Sequence, residues 1–191
     1  MVVRFNVLGD LTVTADGVAV DLGTPKERQL LAALLVDVNT VVSQDRAIEA
    51  LWPDRRPGKP LSSLRAYLSH LRGVLTAAGL PKDTIRSAGD GYRLDIDPAA
   101  IDAVRFEELL RSSADEAPAL AERVATLDEA LRLVRGDPYG DMPYAEFAQR
   151  EIDRLGEMIA SGHELRAELA LESGQVAAWI PELTGLVQRY P

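Results

Sequence analysis

The stretch LSSLRAYLSHLRGVL, residues 61–75, constrains the fold more than any other part of this sequence. Its leucines recur at steps of three and four residues, which places them on one side of a helix and predicts that this side packs into a core. The opposite side is small, polar and basic and has no carboxylate. The leucines are Leu61, Leu64, Leu68, Leu71 and Leu75, and the opposite strip is Ser62, Arg65, Ala66, Ser69, Arg72 and Gly73. Such a strip fits a groove lined with phosphates, although an ordinary amphipathic helix with a solvated face explains it equally well.

The net charge of -9 is distributed unevenly along the 191 residues. Residues 1–97 hold 12 Lys plus Arg and 12 Asp plus Glu, whereas residues 98–191 hold 9 and 18 and carry the whole excess. Within the first half, residues 55–93 contain eight basic residues against two acidic ones, a local +6. A positive patch of this kind neutralises the DNA backbone. The asymmetry therefore predicts two domains with different partners.

Composition argues against several classes of protein. The chain has no cysteine, and its two histidines, His70 and His163, lie far apart in the sequence without a second ligand at metal spacing, so we expect no metal site and no cofactor. The sequence contains no nucleophile elbow or kinase-like motif, which argues against an enzyme. A signal peptide and an uncharged run of eighteen apolar residues are also missing, so we expect a cytoplasmic protein without a membrane partner.

Helix and hairpin signals organise the first half of the chain. Alternation of Val3, Phe5 and Val7 predicts a half-buried strand, and the Asp16-Gly17 turn predicts a hairpin that pairs Ala15 with Val18, Val13 with Val20, and Leu11 with Leu22. A capping box at Thr24 to Glu27 predicts the start of a helix whose buried face is Leu30, Leu31, Leu34, Leu35 and Val38. A second helix is expected from Ser43 to the stop at Pro53.

A wing is expected directly after the leucine-striped helix. Residues 84–87 and 92–96 are predicted to be strands around a loop at 88–91, with Arg93 and Asp95 pointing outward. The glycines of this loop join two strands and lack a following Lys-Ser/Thr, which excludes a phosphate-binding loop.

The second half is predicted to be helical throughout. We expect a short helix from near Asp102, a five-turn stripe over residues 120–134 and a long helix over residues 143–173 ended by Gly174. Leu165, Leu169, Leu183 and Val187 are spaced as in one tetratricopeptide unit. Because such a unit needs neighbours to bury its stacking face, we expect the chain to be the amino-terminal part of a longer protein.

Several motifs carry a family resemblance. The segments FNVLGDLTV, LGTPKERQLLAALL, VVSQDRAIEALWPD, YLSHLR and GYRLDI resemble the Streptomyces antibiotic regulatory proteins, which begin with an OmpR-like winged helix-turn-helix. IDAVRFEELL, LDEALRLVRGDPYGDM and PYAEFAQREIDRL are similar to the bacterial transcriptional activator domain that follows it. The resemblance implies an α+β winged helix-turn-helix with an N-terminal antiparallel sheet and a C-terminal wing over residues 1–97. It also implies an all-α, tetratricopeptide-like domain over residues 98–191, incomplete at its C-terminus.

The resemblance also implies a function. Proteins of this family activate transcription by binding promoter repeats near the -35 element, and we expect this chain to bind double-stranded DNA as a homodimer and to recruit RNA polymerase, including its sigma factor. In the winged-helix docking mode the striped helix lies in the major groove while loop and wing touch flanking phosphates. The residues assigned to DNA contact are Lys59, Ser63, Arg65, Tyr67, Ser69, His70 and Arg72, with Arg86 and Arg93 on the wing. Arg55 and Arg56 are assigned to polymerase or partner contact.

Some interpretations stay open at the level of sequence. Tyr67 lies beside the leucine stripe and is either a DNA contact or partly core, and Arg55 with Arg56 is equally explained as a solubilising loop pair. The family usually has arginine where this chain has His70 and Gly73, so we expect weaker DNA affinity than in a close family match. An alternative function is a protein-interaction or signalling scaffold whose winged helix no longer binds DNA. A third is regulation of a catalytic domain outside this sequence.

Overall fold

The computed structural model describes residues 1–174, which form six short strands and six α-helices. In chain order these are β1 (Val3–Asn6), β2 (Thr12–Ala15), β3 (Val18–Ala19), α1 (Pro25–Val36), β4 (Val42–Ser43), α2 (Gln44–Leu51), α3 (Pro60–Ala77), β5 (Ile85–Ala88), β6 (Gly91–Leu94), α4 (Asp102–Ala114), α5 (Leu120–Leu131) and α6 (Gln149–Glu172). Single 3₁₀ turns at Pro98–Ala100 and Glu146–Ala148 precede α4 and α6.

The N-terminal sheet has the antiparallel order β1-β2-β3. The predicted turn is confirmed, because Asp16 and Gly17 have φ of 48° and 82° and Ala15 pairs with Val18. β3 is only two residues long, so the Val13–Val20 pairing continues as one hydrogen bond from the Val20 N–H to the Val13 carbonyl, 2.8 Å. The expected pairing of Leu11 with Leu22 lies beyond this short ladder, although both side chains are buried.

Local capping signals set the starts of α1 and α2. The predicted capping box is present, since the Glu27 carboxylate accepts from the Thr24 N–H at 2.7 Å and the Thr24 hydroxyl accepts from the Glu27 N–H. The Ser43 hydroxyl accepts from the Arg46 N–H at 3.2 Å and begins α2. The two-residue strand β4, which pairs with β6, was not predicted.

The leucine stripe of α3 is confirmed at four of its five positions, with Leu64, Leu68, Leu71 and Leu75 buried. The prediction for Leu61 is wrong, because 40% of this residue is exposed. Leu61 shares the azimuth of the stripe but stands in the first turn of α3, where it lines a shallow surface depression with Lys59 and Arg65.

The second sheet has the order β4-β6-β5 and forms the wing. The predicted loop at 88–91 is too long, because Ala88 pairs with Gly91 and only two residues connect the strands. Arg93 and Asp95 were expected to point outward into solvent. Both side chains are instead about two-thirds buried, because they pack against each other and against Arg86.

The helices of the second half differ in length from the sequence expectation. α4 starts at Asp102 as predicted, but α5 ends at Leu131 rather than near 134, because the chain turns so that the Arg135 N–H reaches the Leu8 carbonyl at 2.7 Å. α6 starts at Gln149 rather than at 143. Gly174, with φ 68°, follows its last turn as predicted. Leu183 and Val187 of the expected tetratricopeptide unit lie outside the described residues.

A buried carboxylate joins the two halves. Asp102 accepts from the Val7 N–H at 2.7 Å and the Leu8 N–H at 3.2 Å, and Arg135 approaches it to 3.3 Å. Burial raises the pKa of Asp102, although these hydrogen bonds and Arg135 act in the opposite direction. Buried apolar side chains of both halves form one continuous cluster, so the sheet at the N-terminus shares its core with the activator-like helices. The domain division at residue 97 remains a prediction.

Candidate nucleic-acid interface

The exposed side of α3 is lined by small residues. Ser62, Ala66, Ser69 and Gly73 are all exposed, and a Cβ added to Gly73 would have nothing within 4 Å. The sequence of α3 has no acidic residue anywhere in its 18 residues. Another macromolecule can therefore approach this helix closely without meeting a carboxylate on it.

Unpaired cations surround the start of α3. Lys59 and Arg65 are exposed, and neither side chain has a hydrogen bond or ion pair with any residue of the described part of the chain. Lys59 stands at the N-cap and no side chain caps the helix, so the positive end of the helix dipole is open to solvent. Both cations line a shallow depression together with Pro60, Leu61 and Ser62. Free backbone N–H groups next to two cations are what an approaching phosphate needs.

The cations on the wing side of α3 are engaged within the protein. Arg72 donates its Nε–H to the Ile85 carbonyl at 2.7 Å, which ties α3 to β5. Arg86 and Arg93 each place Nε against an oxygen of Asp95. The fold thus brings these three predicted contact residues to one edge, but each of them has an internal partner.

The opposite edge of α3 faces the start of α1. His70 Nδ1 lies 2.9 Å from Oε1 of Glu27. The other carboxylate oxygen of Glu27 accepts the capping-box hydrogen bond from the Thr24 N–H. A Cβ at Gly23 would lie 2.7 Å from the His70 ring, so the residue before the capping box must be small here. This contact turns His70 toward α1 and gives it an acidic neighbour.

The remaining predicted residues fall on the α2–α3 side. Tyr67 is half-buried and its ring centroid is 6.2 Å from that of Trp52, so it is at least partly a core residue. The Ser63 hydroxyl donates to the Lys59 carbonyl at 3.3 Å. In the connecting loop Arg56 pairs with Glu49 at 2.5 Å, whereas Arg55 is exposed and makes no ion pair with residues 1–174.

The pairing of two acidic residues with the cations of this surface was not predicted from the sequence. Asp95 follows Arg93 by two residues and so belongs to the same strand face, a signal that could have suggested the pair. The approach of Glu27 to His70 depends on how α1 packs on α3, for which the sequence carries no local signal.

Residues 1–174 were also compared with the requirements of a metal site and of a membrane-spanning helix. No group of three or more His, Cys, Asp or Glu side chains in residues 1–174 is placed to hold a metal ion. Over the same residues, every helix falls short of the length and apolarity needed to cross a bilayer.

Comparisons with known proteins agree with this architecture. Residues 18–94 match the family model described as transcriptional regulatory protein, C terminal, and residues 101–191 match the bacterial transcriptional activator domain. The regulatory protein DnrI of Streptomyces peucetius is 32% identical over 98% of this chain and 72% of its own length. MoaR1 of Mycobacterium tuberculosis is 36% identical, over 99% of this chain and 62% of its own length.

EmbR of Mycobacterium tuberculosis is similar in both sequence and structure. The two sequences are 34% identical over 98% of this chain and 49% of EmbR. The solved structure of EmbR in complex with a low affinity phosphopeptide has a TM-score of 0.88 at 32% identity, covering 99% of this chain and 51% of that one. The chain therefore spans about half the length of EmbR.

An OmpR-like winged helix followed by a bacterial transcriptional activator domain defines a class of transcriptional regulators, which is not a class of enzymes. Within that class, the chain belongs to the Streptomyces antibiotic regulatory protein family.

Proposed function

We propose that this protein is a sequence-specific transcriptional activator that binds double-stranded promoter DNA through α3. The observation that carries the proposal is the carboxylate-free exposed face of α3, which begins at the unpaired cations Lys59 and Arg65. A helix of this shape enters the major groove, where its small residues allow the backbone to approach base edges. Family membership supports the same function.

The contacts divide into two groups by their surroundings. Phosphate contacts, which position the protein, would come from Lys59, Arg65 and the uncapped start of α3. Ser69 would face the major groove and contact base edges. Arg86 and Arg93 on the wing, and Arg72 beside them, would contact flanking phosphates only after they release their internal partners. His70 and Ser63 lie at the opposite edge of α3.

The activator half supplies the second part of the proposal. Residues 98–191 carry the whole net charge of -9, which suits basic surfaces of RNA polymerase and its sigma factor. The exposed Arg55 and Arg56 of the α2–α3 loop provide a further surface for polymerase or another partner. A homodimer on promoter repeats near the -35 element would double the contacts of a recognition helix with few free cations.

A pair of serine substitutions tests DNA binding. Ser69 and Ser161 are both exposed and helical, but only Ser69 lies on the proposed interface. We expect Ser69→Glu to abolish binding to duplexes selected from a random library, because it places a carboxylate against phosphates, and we expect Ser161→Glu to bind like the wild type. Equal binding by both variants in gel shifts at several salt concentrations would contradict the proposed interface.

One observation favours the scaffold alternative. Arg72, Arg86 and Arg93 all have internal partners, so part of the positive charge of the winged helix is already neutralised. If the wild-type chain selects no duplex even at low salt, the scaffold becomes the better description. Recruitment is tested separately, by transcription from a selected promoter with purified RNA polymerase, where an activator raises the transcript yield.

A further inference from the structure

The wing contains two arginines that share one carboxylate. Arg86 and Arg93 stand directly opposite each other in the β5–β6 register. Like charges at opposed positions of an antiparallel pair repel. Asp95, just after β6, relieves this repulsion by placing Oδ2 against Arg86 Nε and Oδ1 against Arg93 Nε. Both contacts are ion pairs without hydrogen-bond geometry, and within residues 1–174 Arg93 Nε is buried without a hydrogen-bond partner.

The three side chains are partly exposed, although the Arg93 Nε atom itself is buried. The exposed fractions of the side chains are 51% for Arg86, 34% for Arg93 and 29% for Asp95. Ion pairs with this much exposure contribute little net stability, so opening one of them is not costly. A DNA phosphate, which binds arginine in the same way as a carboxylate does, can therefore compete with Asp95 for the same two arginines.

We propose that Asp95 is an internal competitor of DNA phosphate for the wing arginines. Without DNA it pairs electrostatically with both arginines, and its charge of -1 reduces their combined +2 to a net +1. On binding, at least one arginine leaves Asp95 for a phosphate. The inference rests on the proposed function, because it assumes that the wing touches DNA. Asp95 is a positioning residue, since it acts through Arg86 and Arg93.

Two opposite effects of Asp95 can be compared. If it mainly aimed the arginines at DNA, its loss would lower affinity. It also neutralises part of their charge and places a negative charge near the phosphates, so its loss would raise affinity. Because partly exposed pairs hold side chains only weakly, competition outweighs aiming.

The test compares two aspartates of the same hairpin in the 191-residue chain. Asp95→Asn keeps the shape of the side chain but removes the charge that holds the arginines. Asp90→Asn removes the same charge from the exposed two-residue turn, where the side chain has no ion pair with residues 1–174. Binding to a duplex selected by the wild type is measured by fluorescence anisotropy over a series of salt concentrations.

We expect Asp95→Asn to bind several-fold more tightly at low salt, with a slope of log K against log salt steeper by about one unit, as for one additional phosphate contact. Asp90→Asn should change affinity less and leave the slope near that of the wild type. Removing Arg86 or Arg93 in the Asp95→Asn background should abolish the gain for whichever arginine is released.

Asp95→Glu keeps the charge and should keep the wild-type slope. A gain for Asp95→Glu, a loss of affinity for Asp95→Asn, or equal slopes for Asp95→Asn and Asp90→Asn would each overturn the inference. Hydrogen exchange of the Asp95 amide, which donates to the Thr84 carbonyl at 2.7 Å, checks that the wing stays folded. If Asp95→Asn loses this protection, the charge-preserving variant and the double variant Arg86→Gln with Arg93→Gln decide instead. Because at least one of these arginines is proposed to reach a phosphate, the double variant should bind more weakly, with a salt slope flatter by about one unit, and an unchanged slope would overturn the inference.

Failure of the inference is distinguishable from failure of the proposed function. If the wild type binds no duplex, both are wrong. If the wild type binds and Ser69→Glu does not, but Asp95→Asn behaves like Asp90→Asn, only the role of Asp95 is wrong.

Discussion

Cations on the surface of α3 differ in whether the protein has already used them. Arg65 has no partner within residues 1–174, so its full charge is available to a ligand. Arg72, seven residues further along the same helix, donates to the Ile85 carbonyl and holds the wing in place. The same residue type is thus free for a ligand at one position and used within the fold at the other.

Substitution of these two arginines should separate the roles. Arg65→Ala should weaken binding to all DNA sequences and flatten the salt slope by about one unit, while the free energy of unfolding stays within about 0.5 kcal/mol of the wild type. Arg72→Ala should lower the free energy of unfolding by about 1–2 kcal/mol, because the Ile85 carbonyl loses its donor. Salt-dependent gel shifts and urea denaturation give the two readouts. An unchanged salt slope for Arg65→Ala would remove Arg65 from the interface.

The sequence allowed the exposed strip of α3 to be predicted, since helical periodicity fixes which residues share a face. It did not allow the availability of each cation to be predicted. Asp95 reaches Arg86 only through the register of β5 and β6, and Glu27 reaches His70 only through helix packing. Such pairings depend on residues distant along the chain, which periodicity does not relate.

Among the secondary-structure elements, starts were easier to predict than ends. The capping box of α1 and the serine cap of α2 use neighbouring residues, so their signals are local. The end of α5 is set by a hydrogen bond from Arg135 to Leu8, and β4 exists only because β6 lies beside it. Neither of these partners could be recognised from the local sequence.

Gly91 shows how the wing depends on close approach of two elements. A Cβ at this position would lie 2.2 Å from the Val42 carbonyl oxygen, which belongs to β4. We therefore expect Gly91→Ala to separate β4 from β6 and to lower the free energy of unfolding by about 2 kcal/mol or more. Gly73→Ala, on the open face of α3, should instead raise it by about 0.5–1 kcal/mol through better helix propensity. Urea denaturation of both variants tests the contrast, and destabilisation by Gly73→Ala would show that this face is not open.

For the whole molecule, the junction of the two halves determines what each half can do alone. Asp102 and Arg135 bind the backbone after β1, and Asp141 accepts from the Leu11 N–H at 2.9 Å and pairs with Arg28 at 2.5 Å. These contacts fix the activator helices relative to α1 and, through α1, to α3. If α3 binds DNA as proposed, a partner bound to the acidic half would therefore meet that helix in a defined orientation.

Asp102→Asn should weaken this junction. An amide offers one oxygen where the carboxylate offers two, so its NH₂ group would face a donor, and we expect a loss of about 1–3 kcal/mol in the free energy of unfolding. Because burial raises the pKa of Asp102 above its ordinary value of 3.8, the folded state binds this proton more tightly than the unfolded state does. The stability from this linkage is fully present below that value and is lost as the pH rises through the folded-state pKa. The difference between wild type and variant in urea denaturation should therefore decrease from pH 4 to pH 7, and an increase would contradict the raised pKa.

Dissection of the chain tests whether residues 1–97 fold independently, as the charge asymmetry predicts. The apolar cluster continues from β1 into α4, and Asp102 accepts hydrogen bonds from the Val7 and Leu8 N–H groups. A 1–97 fragment lacks these contacts, so we expect it to unfold at a lower urea concentration than the winged helix within the intact chain. A 1–114 fragment adds Asp102 and α4 and should recover part of the loss, whereas the same fragment with Asp102→Asn should recover less. Hydrogen exchange of α3 amides in all three fragments and in the intact chain reports on the winged helix alone. Equal protection in the 1–97 fragment and the intact chain would mean that the shared core adds nothing to the stability of the winged helix, and that the contacts between the halves fix only their relative orientation.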